Sequence, residues 1–228
     1  MPHTWDPRTP APDEALRRLV EGNQRFHRKA AAPGWLAQAR ASYAEVAVEP
    51  QRPSAIVLGC SDARTPVEIL FDQGLGDLFV VRVAGHVVAP SVVGSIEFAA
   101  AQFGTRLVVV LGHTQCGAIA ATVHAIETQG GPESKNIRSI TDRIAPNIEA
   151  LVRAPNAGAT GRADLLRDAT RANVRAAANH LRHGSQLLEE LVLAGRVAVV
   201  GAEYDLETGA VDFFDGVPGH PSTAPAPR

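Results

Sequence analysis

Several residue types are scarce in this sequence, and each shortage excludes a class of protein. Only two of its 228 residues are cysteines, Cys60 and Cys116, which is too few for a disulfide framework. The 22 basic and 24 acidic residues are interspersed and give a net charge of −2, so no basic surface for nucleic acid is expected. No apolar run reaches the ~18 residues of a membrane span, and residues 1–16 lack the apolar core of a secretory signal. We therefore expect a cytoplasmic protein with no nucleic-acid or membrane partner, whose thiols are free or bind metal.

Apolar residues are plentiful: they make up 45% of the chain, enough for one sizeable core. We expect a single domain over residues 1–228, in which residues 1–12 form a polar N-terminal arm and residues 217–228 form a flexible tail. A helix is predicted over residues 13–30, with Asp13 as its cap. Because this helix precedes the core-forming runs, we expect its apolar face to cover something else, such as a partner subunit.

Short, continuous apolar runs alternate with helical stretches through the rest of the chain. Their length and β-branched content indicate strands that are buried on both faces, as in a parallel sheet. The predicted strands cover residues 54–59, 77–83, 106–112 and 196–202, and the predicted helices cover residues 66–73, 91–103, 117–129 and 163–195. This alternation predicts an α/β fold with a mostly parallel central sheet flanked by helices and right-handed crossovers. Residues 210–216 follow a turn and are predicted to form an antiparallel edge strand.

Two short motifs, GCSDARTP at 59–66 and GHTQCG at 112–117, each contain one of the two cysteines. Cys60 directly follows the first predicted strand, and His113 directly follows the third. If these strands are neighbours, both residues and Cys116 meet at the carboxyl edge of the sheet, where open α/β sheets bind ligands. Cys116 also precedes a predicted helix, whose N-terminal end favours a thiolate. Two sulfurs and one imidazole are ligands that zinc prefers, and a catalytic zinc site keeps one further position open.

Asp62 can supply a fourth ligand, but Arg64 lies only two residues further along the chain. In an irregular turn the two side chains are close enough for a bidentate ion pair. An arginine that holds Asp62 draws it away from the metal, so that water takes the fourth position and reacts as zinc-bound hydroxide. Asp62 would then accept a hydrogen bond from that water. We interpret Asp62 and Arg64 as a catalytic dyad.

Each member of this set also has an ordinary structural explanation. A cysteine at the end of a strand is usually a small, buried apolar residue. An Asp–Arg pair in a turn is usually an ordinary ion pair that contributes under about 1 kcal/mol. The coincidence of both cysteines, a histidine and an Asp–Arg pair at two predicted strand ends is what favours a metal site.

The motifs C-x-D-x-R at 60–64 and G-H-x-x-C-G at 112–117, in this order, resemble the signature of the β-class carbonic anhydrases. The similarity extends over residues 14–216 and includes EGNQRF near the start, FDQGLGDLFVVRVAGHV in the middle and GAEYDLETG near the end. The resemblance implies a zinc lyase that interconverts CO2 with bicarbonate and a proton. It also implies one Zn²⁺ per chain, held by the same two cysteines and histidine.

The resemblance implies further site residues and an assembly. Gln51 corresponds to a glutamine that helps to bind substrate in plant-type members, and Phe79 corresponds to an aromatic residue that lines the CO2 pocket. Phe98 stands where some members have a tyrosine, so it can offer only an apolar wall. In the family the aspartate, here Asp62, can also close onto the metal at lower pH. Members are homodimers or homotetramers built from dimers, with active sites near the subunit interface.

Gly85 and His86 each allow two interpretations. The Gly85 amide can approach the substrate, or the glycine can be required by a turn. His86 can assist proton transfer to solvent, or it can be a hydrogen-bonded loop histidine. Residue 57 is a valine where some bacterial members have the tryptophan of an inhibitory bicarbonate site. No such site is therefore expected, although Arg82 and Tyr204 resemble its other members.

Three other functions remain open on the sequence alone. A thiol hydrolase would use Cys60 as nucleophile and His113 as base, but it leaves Cys116 and the Asp62–Arg64 pair without a role. A non-catalytic protein with a structural zinc would keep Asp62 on the metal in a closed, four-ligand site. A third protein of the same fold and metal would hydrolyse CS2 or COS, as related proteins do.

Overall fold

The computed structural model of the chain describes residues 8–28, 51–131, 134–159 and 161–217. Five strands in these residues form one sheet: β1 (Ala55–Gly59), β2 (Leu78–Arg82), β3 (Leu107–His113), β4 (Ala198–Tyr204) and β5 (Val211–Asp215). Their order across the sheet is β2-β1-β3-β4-β5, and only β5 runs antiparallel to its neighbour. Every residue of β1 and β3 is buried, because these central strands are covered on both faces.

Seven α-helices are described around this sheet: α1 (Pro12–His27), α2 (Val67–Leu70), α3 (Pro90–Gln102), α4 (Gly117–Thr128), α5 (Lys135–Val152), α6 (Arg162–His183) and α7 (Gln186–Leu193). One face of the sheet packs against α3, α6 and α7, and the other packs against α1 and α2. A third cluster joins α4, α5 and the start of α6 to the loops at the carboxyl edge, and it includes both cysteines. None of the described helices is both long and apolar enough to cross a bilayer.

The α/β class, the mostly parallel sheet and the antiparallel edge strand are therefore confirmed. One helix was missed: no helix was predicted between residues 130 and 154, where α5 lies. Its buried residues Ile144, Ile148 and Val152 follow a four-residue spacing, but Pro146 on its exposed side weakens the helical pattern. The predicted long helix over 163–195 is two helices, because the Ser185 hydroxyl accepts a hydrogen bond from Leu188 N and caps the start of α7.

The N-terminal helix differs from its prediction in two ways. It begins at Pro12, and Asp13 lies inside its first turn instead of capping it. Its apolar face covers the chain's own core, where Leu16 and Leu19 pack in the same cluster as Leu70. The expected arm falls mostly outside the described residues, as does all of the expected tail beyond residue 217.

Candidate metal centre

The sheet brings the two cysteine motifs to one edge. Cys60 directly follows β1, and His113 is the last residue of β3. These strands are adjacent and parallel, with Leu58 aligned to Val110, so their carboxyl ends lie side by side. Cys116 is the N-cap residue of α4, three residues after His113. The turn between them contains Gln115 in a left-handed conformation, with φ of 58°.

One possible ligand atom from each of Cys60, His113 and Cys116 lies within 4.8 Å of the other two. All three residues are buried, with exposed fractions of 5%, 1% and 3%. His113 Nδ1 donates a hydrogen bond to the Thr114 carbonyl at 2.9 Å, which leaves Nε2 as the unprotonated nitrogen. Within the described part of the chain, this buried Nε2 has no hydrogen-bond partner. An imidazole held in this tautomer, with an unused buried lone pair, is prepared to bind a metal ion.

The environment of Cys60 favours the thiolate that a metal requires. The hydrogen bond between the two sulfurs lowers the pKa of Cys60 and, together with burial, raises that of Cys116, while His113 and backbone N–H groups lower the pKa of Cys60 further. One of these groups is the Gly85 amide, whose nitrogen lies 3.3 Å from Cys60 Sγ. Two sulfurs and an imidazole nitrogen form a soft donor set that fits Zn²⁺.

Asp62 stands beside this cluster, but its carboxylate is held by Arg64. Arg64 Nε donates to Asp62 Oδ1 at 2.9 Å and Nη2 donates to Oδ2 at 2.7 Å, which is a bidentate pair. The backbone N–H of Arg64 donates to the same Oδ1 at 2.9 Å. The hydrogen bonds from Arg64 hold the pKa of Asp62 well below its usual range, so it is ionised at physiological pH. The expected fourth ligand is thus engaged by the guanidinium in this structure.

Two further side chains hold the loop that carries Cys60 and Asp62. Arg82, at the end of β2, donates from Nε to the Cys60 carbonyl at 2.9 Å and from Nη2 to the Asp62 carbonyl at 2.6 Å. Thr65 is buried, and its hydroxyl donates to the Asp62 carbonyl at 2.9 Å. The loop conformation that pairs Asp62 with Arg64 is therefore fixed from outside the pair.

Comparisons with known proteins identify the family of the chain. The family model described as carbonic anhydrase matches residues 55–211. A carbonic anhydrase of Mycolicibacterium smegmatis is 40% identical over 203 residues, covering 89% of this chain and 93% of the relative. Carbonic anhydrase 2 of Mycobacterium tuberculosis is 37% identical over 209 residues, covering 90% and 94%.

Solved structures show the same fold. The β-carbonic anhydrase CcaA has a TM-score of 0.66 at 24% identity, with 94% of each chain covered. One of the two tetrameric β-carbonic anhydrases of Sordaria macrospora has a TM-score of 0.65 at 21% identity, covering 79% of this chain and 89% of the other.

The chain belongs to the β-carbonic anhydrase family. This membership confirms the resemblance based on the two cysteine motifs, and carbonic anhydrase is the enzyme class expected from the sequence.

The aromatic residues that the family resemblance implied lie at the opposite edge of the sheet. Phe79 is aligned with Ile56 in β1, four residues before Cys60, or about 13 Å along the strand. Phe98, on α3, is 52% exposed, and the rings of Phe79 and Phe98 both contact Phe103, with centroids 6.0 and 5.5 Å away.

Gln51 is exposed four residues before β1, at this same amino edge. Within one chain, these three expected substrate-binding residues are therefore not brought to the metal centre.

Gly85 and His86, by contrast, lie beside the centre. They have φ values of 66° and 43° in a short turn after β2, and the Gly85 amide is directed at the Cys60 sulfur. His86 is completely buried, and burial lowers its pKa to about 4, so the imidazole is neutral and out of contact with solvent. Its Nε2 lies 2.9 Å from the Asn173 side-chain amide, as expected for a hydrogen-bonded loop histidine, whereas its buried Nδ1 has no partner among the described residues.

Sequence reasoning missed several residues around the centre. Thr65 stands inside the first motif, and a hydroxyl three residues after an aspartate is a recognisable turn signal. Arg82 was related to an inhibitory site, yet it holds the Cys60 loop. Asn173 lies 60 residues beyond His113 on α6, and no local pattern connects it to the turn that it contacts.

Proposed function

We propose that the chain catalyses the reversible hydration of CO2 to bicarbonate and a proton with one Zn²⁺ held by Cys60, His113 and Cys116. The observation that carries this proposal is the bidentate pair of Asp62 with Arg64, which withholds a carboxylate from a cluster of three buried ligands. When bound there, zinc would supply Lewis-acid chemistry that makes hydroxide available from water at mildly alkaline pH.

Asp62 is suited to orient the attacking water. Because its pKa is held low, the carboxylate is an acceptor without a proton of its own at neutral pH. Arg64 occupies part of its acceptor capacity, and each carboxylate oxygen has two lone pairs, so Asp62 can accept a further hydrogen bond. Arg64 is itself oriented toward the carbonyl of Gln115, 3.4 Å from Nη2. The proposed dyad thus links the two motifs across the site.

We propose that the substrate pocket is completed by a second copy of the chain. Phe79 lies on β2, the edge strand of the described sheet, and Phe98 is a large exposed apolar residue beside it. A second copy that packs over β2 would bury both rings and could offer its own phenylalanines and Gln51 to the first copy's centre. The distance of about 13 Å within one chain supports this arrangement, a homodimer or a tetramer built from dimers.

Metal analysis together with stopped-flow assays tests the proposed function. The purified protein should contain about one zinc per chain and accelerate CO2 hydration. His113→Ala should lose both zinc and activity, whereas the control His124→Ala, at an exposed position of α4, should keep both. Protein that lacks zinc, or zinc-loaded protein that hydrates CO2 no faster than buffer, would contradict the proposal.

The same assays separate the alternatives. Activity on CS2 or COS without CO2 hydration would identify the hydrolase of the same fold and metal. Bound zinc without any of the three activities would identify a structural site. The cytoplasm is the location that we propose, since the reducing conditions there keep both described cysteines, which are free in this structure, available as ligands.

A further inference from the structure

The turn of Gly85 and His86 is strained, yet it lies directly against the metal centre. Its two residues have φ values of 66° and 43°, and the second of these is not a glycine. A Cβ on Gly85 would lie 2.7 Å from Ile144 Cδ1 and 3.0 Å from Ala118 Cβ, so a side chain there has no room. Residues in such conformations persist only where the surroundings hold them in place. Something must therefore keep the Gly85 amide pointed at Cys60 Sγ.

Asn173 makes the contacts that hold this turn. Its Nδ2 donates to the Gly85 carbonyl at 3.1 Å and lies 2.9 Å from His86 Nε2, so one amide group contacts both residues. Its Oδ1 accepts a hydrogen bond from Asn147 Nδ2 at 2.8 Å. The Asn147 N–H donor and the Gly85 carbonyl acceptor together fix which way the Asn173 amide faces. Asn173 itself is 1% exposed, so these bonds form away from solvent competition.

Close packing of α6 on the sheet brings Asn173 to the turn. A Cβ on Gly112 would lie 2.7 Å from Val174 Cγ2 and 2.9 Å from Thr170 Cγ2, so only glycine in β3 allows this approach. Gly112 directly precedes His113, and α6 therefore contacts the sheet one residue from a proposed metal ligand.

We propose that Asn173 is a positioning residue of the metal centre, which holds the Gly85–His86 turn so that the Gly85 N–H donates to the Cys60 sulfur. The inference rests on the proposed zinc function and deepens it. An N–H bond to a thiolate withdraws electron density from the sulfur, so Cys60 becomes a weaker donor and the metal a stronger Lewis acid. Asn147, exposed on α5, does not contact the turn through this bond but orients Asn173 by donating to its Oδ1.

The test compares Asn173→Leu with Asn147→Leu and with the control Thr170→Val. Leucine has the branched shape of asparagine, with methyl groups in place of the amide oxygen and nitrogen, and it removes the hydrogen bonds. Thr170 is equally buried on the same helix, and its hydroxyl donates within that helix, to the Leu166 carbonyl. The first readout is hydrogen exchange of the Gly85 amide in metal-free protein, which does not depend on the proposed function.

We expect Gly85 exchange to be about fivefold to tenfold faster in Asn173→Leu, about twofold faster in Asn147→Leu and unchanged in Thr170→Val. The second readout is the sulfur-to-cobalt charge-transfer band of Co²⁺-substituted protein. This band should move to longer wavelength in the same order, because a sulfur without its N–H partner gives up electrons more easily.

Equal effects of Thr170→Val, or unchanged exchange in both asparagine variants, would overturn the inference. If Asn173→Leu fails to fold, the Asn147→Leu variant provides the test, since it removes only the hydrogen bond from Asn147 to Asn173. Failure of the wild-type protein to bind Co²⁺ would instead refute the zinc function, while the exchange rates would still report on the turn.

Discussion

Two carboxylate–arginine clusters near the carboxyl edge of the sheet behave in opposite ways. Asp62 has one arginine, which donates three hydrogen bonds to it at 2.7 to 2.9 Å, and its pKa is lowered. Glu203, in β4, has two neighbouring arginines. Arg171 Nη1 and Arg167 Nε lie 3.4 and 3.6 Å from its Oε2, so neither approaches it as closely as Arg64 approaches Asp62. Its Oε1 has no partner within the described residues, and burial raises its pKa.

The difference shows that geometry and solvation, and not the number of nearby arginines, set the charge state of a carboxylate. Among the described residues, Asp62 is the one carboxylate that pairs with Arg64, whereas Arg171 also pairs with Asp212 and Arg167 also pairs with Asp205. Asp62 is consequently a stable anion at the edge of a proposed reaction site. Glu203 is a buried group whose desolvation is only partly offset.

Replacing the carboxylate of the proposed dyad should have the largest effect. Asp62→Asn keeps the shape of the side chain but loses its charge and one acceptor, and we expect CO2 hydration to fall about 100-fold or more. Zinc content should stay near that of the wild type, because the three ligands are untouched. Asp72→Asn is the matched control, since it breaks the Asp72–Arg25 ion pair away from the cluster. A variant that keeps more than half of the activity would remove Asp62 from the mechanism.

Removing the arginine of the same pair should have a smaller effect. Arg64→Gln leaves Asp62 ionised but free to turn toward the metal, so we expect about a tenfold loss of hydration. The loss should be greater at pH 6.5 than at pH 8.5, as hydroxide competes for the fourth position at higher pH. Equal losses at both pH values, measured by stopped flow, would separate Arg64 from the control of that position.

The pH dependence of the wild-type enzyme sharpens the contrast further. Two thiolates cancel the charge of Zn²⁺, so a bound water should be acidified less than at a centre with neutral ligands, and hydration should rise through an alkaline midpoint. Asp62 does not contribute to this rise in activity, because its pKa lies far below the pH range in which the rise occurs. A profile that is flat from about pH 6 to pH 9 would contradict this view.

Glu203→Gln should leave hydration within about twofold of the wild type, since Glu203 is assigned no part in the reaction. The effect of this substitution should instead be seen in how the free energy of unfolding depends on pH. The folded pKa of Glu203 lies above its ordinary value of 4.5, so the folded state takes up a proton that the unfolded state does not yet bind. The wild type should therefore gain stability relative to the variant as the pH falls from 7 toward 4.5. Urea unfolding at several pH values measures this, and a difference that is constant or of opposite sign would be inconsistent with a raised pKa.

The smallest effect is expected at the exposed end of the same cluster. The Asp212 side chain is 62% exposed, so its pair with Arg171 is screened by solvent. Asp212→Asn should change the free energy of unfolding by less than about 0.5 kcal/mol in urea titrations. A larger loss would show that Arg171 depends on Asp212 to stay beside Glu203.

The sequence was informative where chemistry depends on local order along the chain. Cys60 and His113 could be placed together because parallel strands end at a common edge, and Asp62 could be paired with Arg64 because they are two residues apart. The contact of Asn173 with Gly85 spans 88 residues and depends on how closely α6 packs, which no periodicity encodes. Burial of Glu203 without a full set of partners was unpredictable for the same reason.

The family resemblance named Phe79 and Phe98 as pocket residues but could not say where in one chain they lie. Strand register places Phe79 at the amino edge, where it is aligned with Ile56, and Phe98 on α3 is connected to it through their shared contact with Phe103. A sequence motif therefore predicts well the site residues that a single subunit brings together. It predicts less well the position of residues in a site that two subunits would share.

A crystal structure of the zinc-loaded protein, at the pH of maximal CO2 hydration, tests the central claim most directly. We expect zinc bound by Cys60, His113 and Cys116, a water oxygen as the fourth ligand, and Asp62 still paired with Arg64. A carboxylate oxygen of Asp62 bonded to zinc at that pH would contradict it.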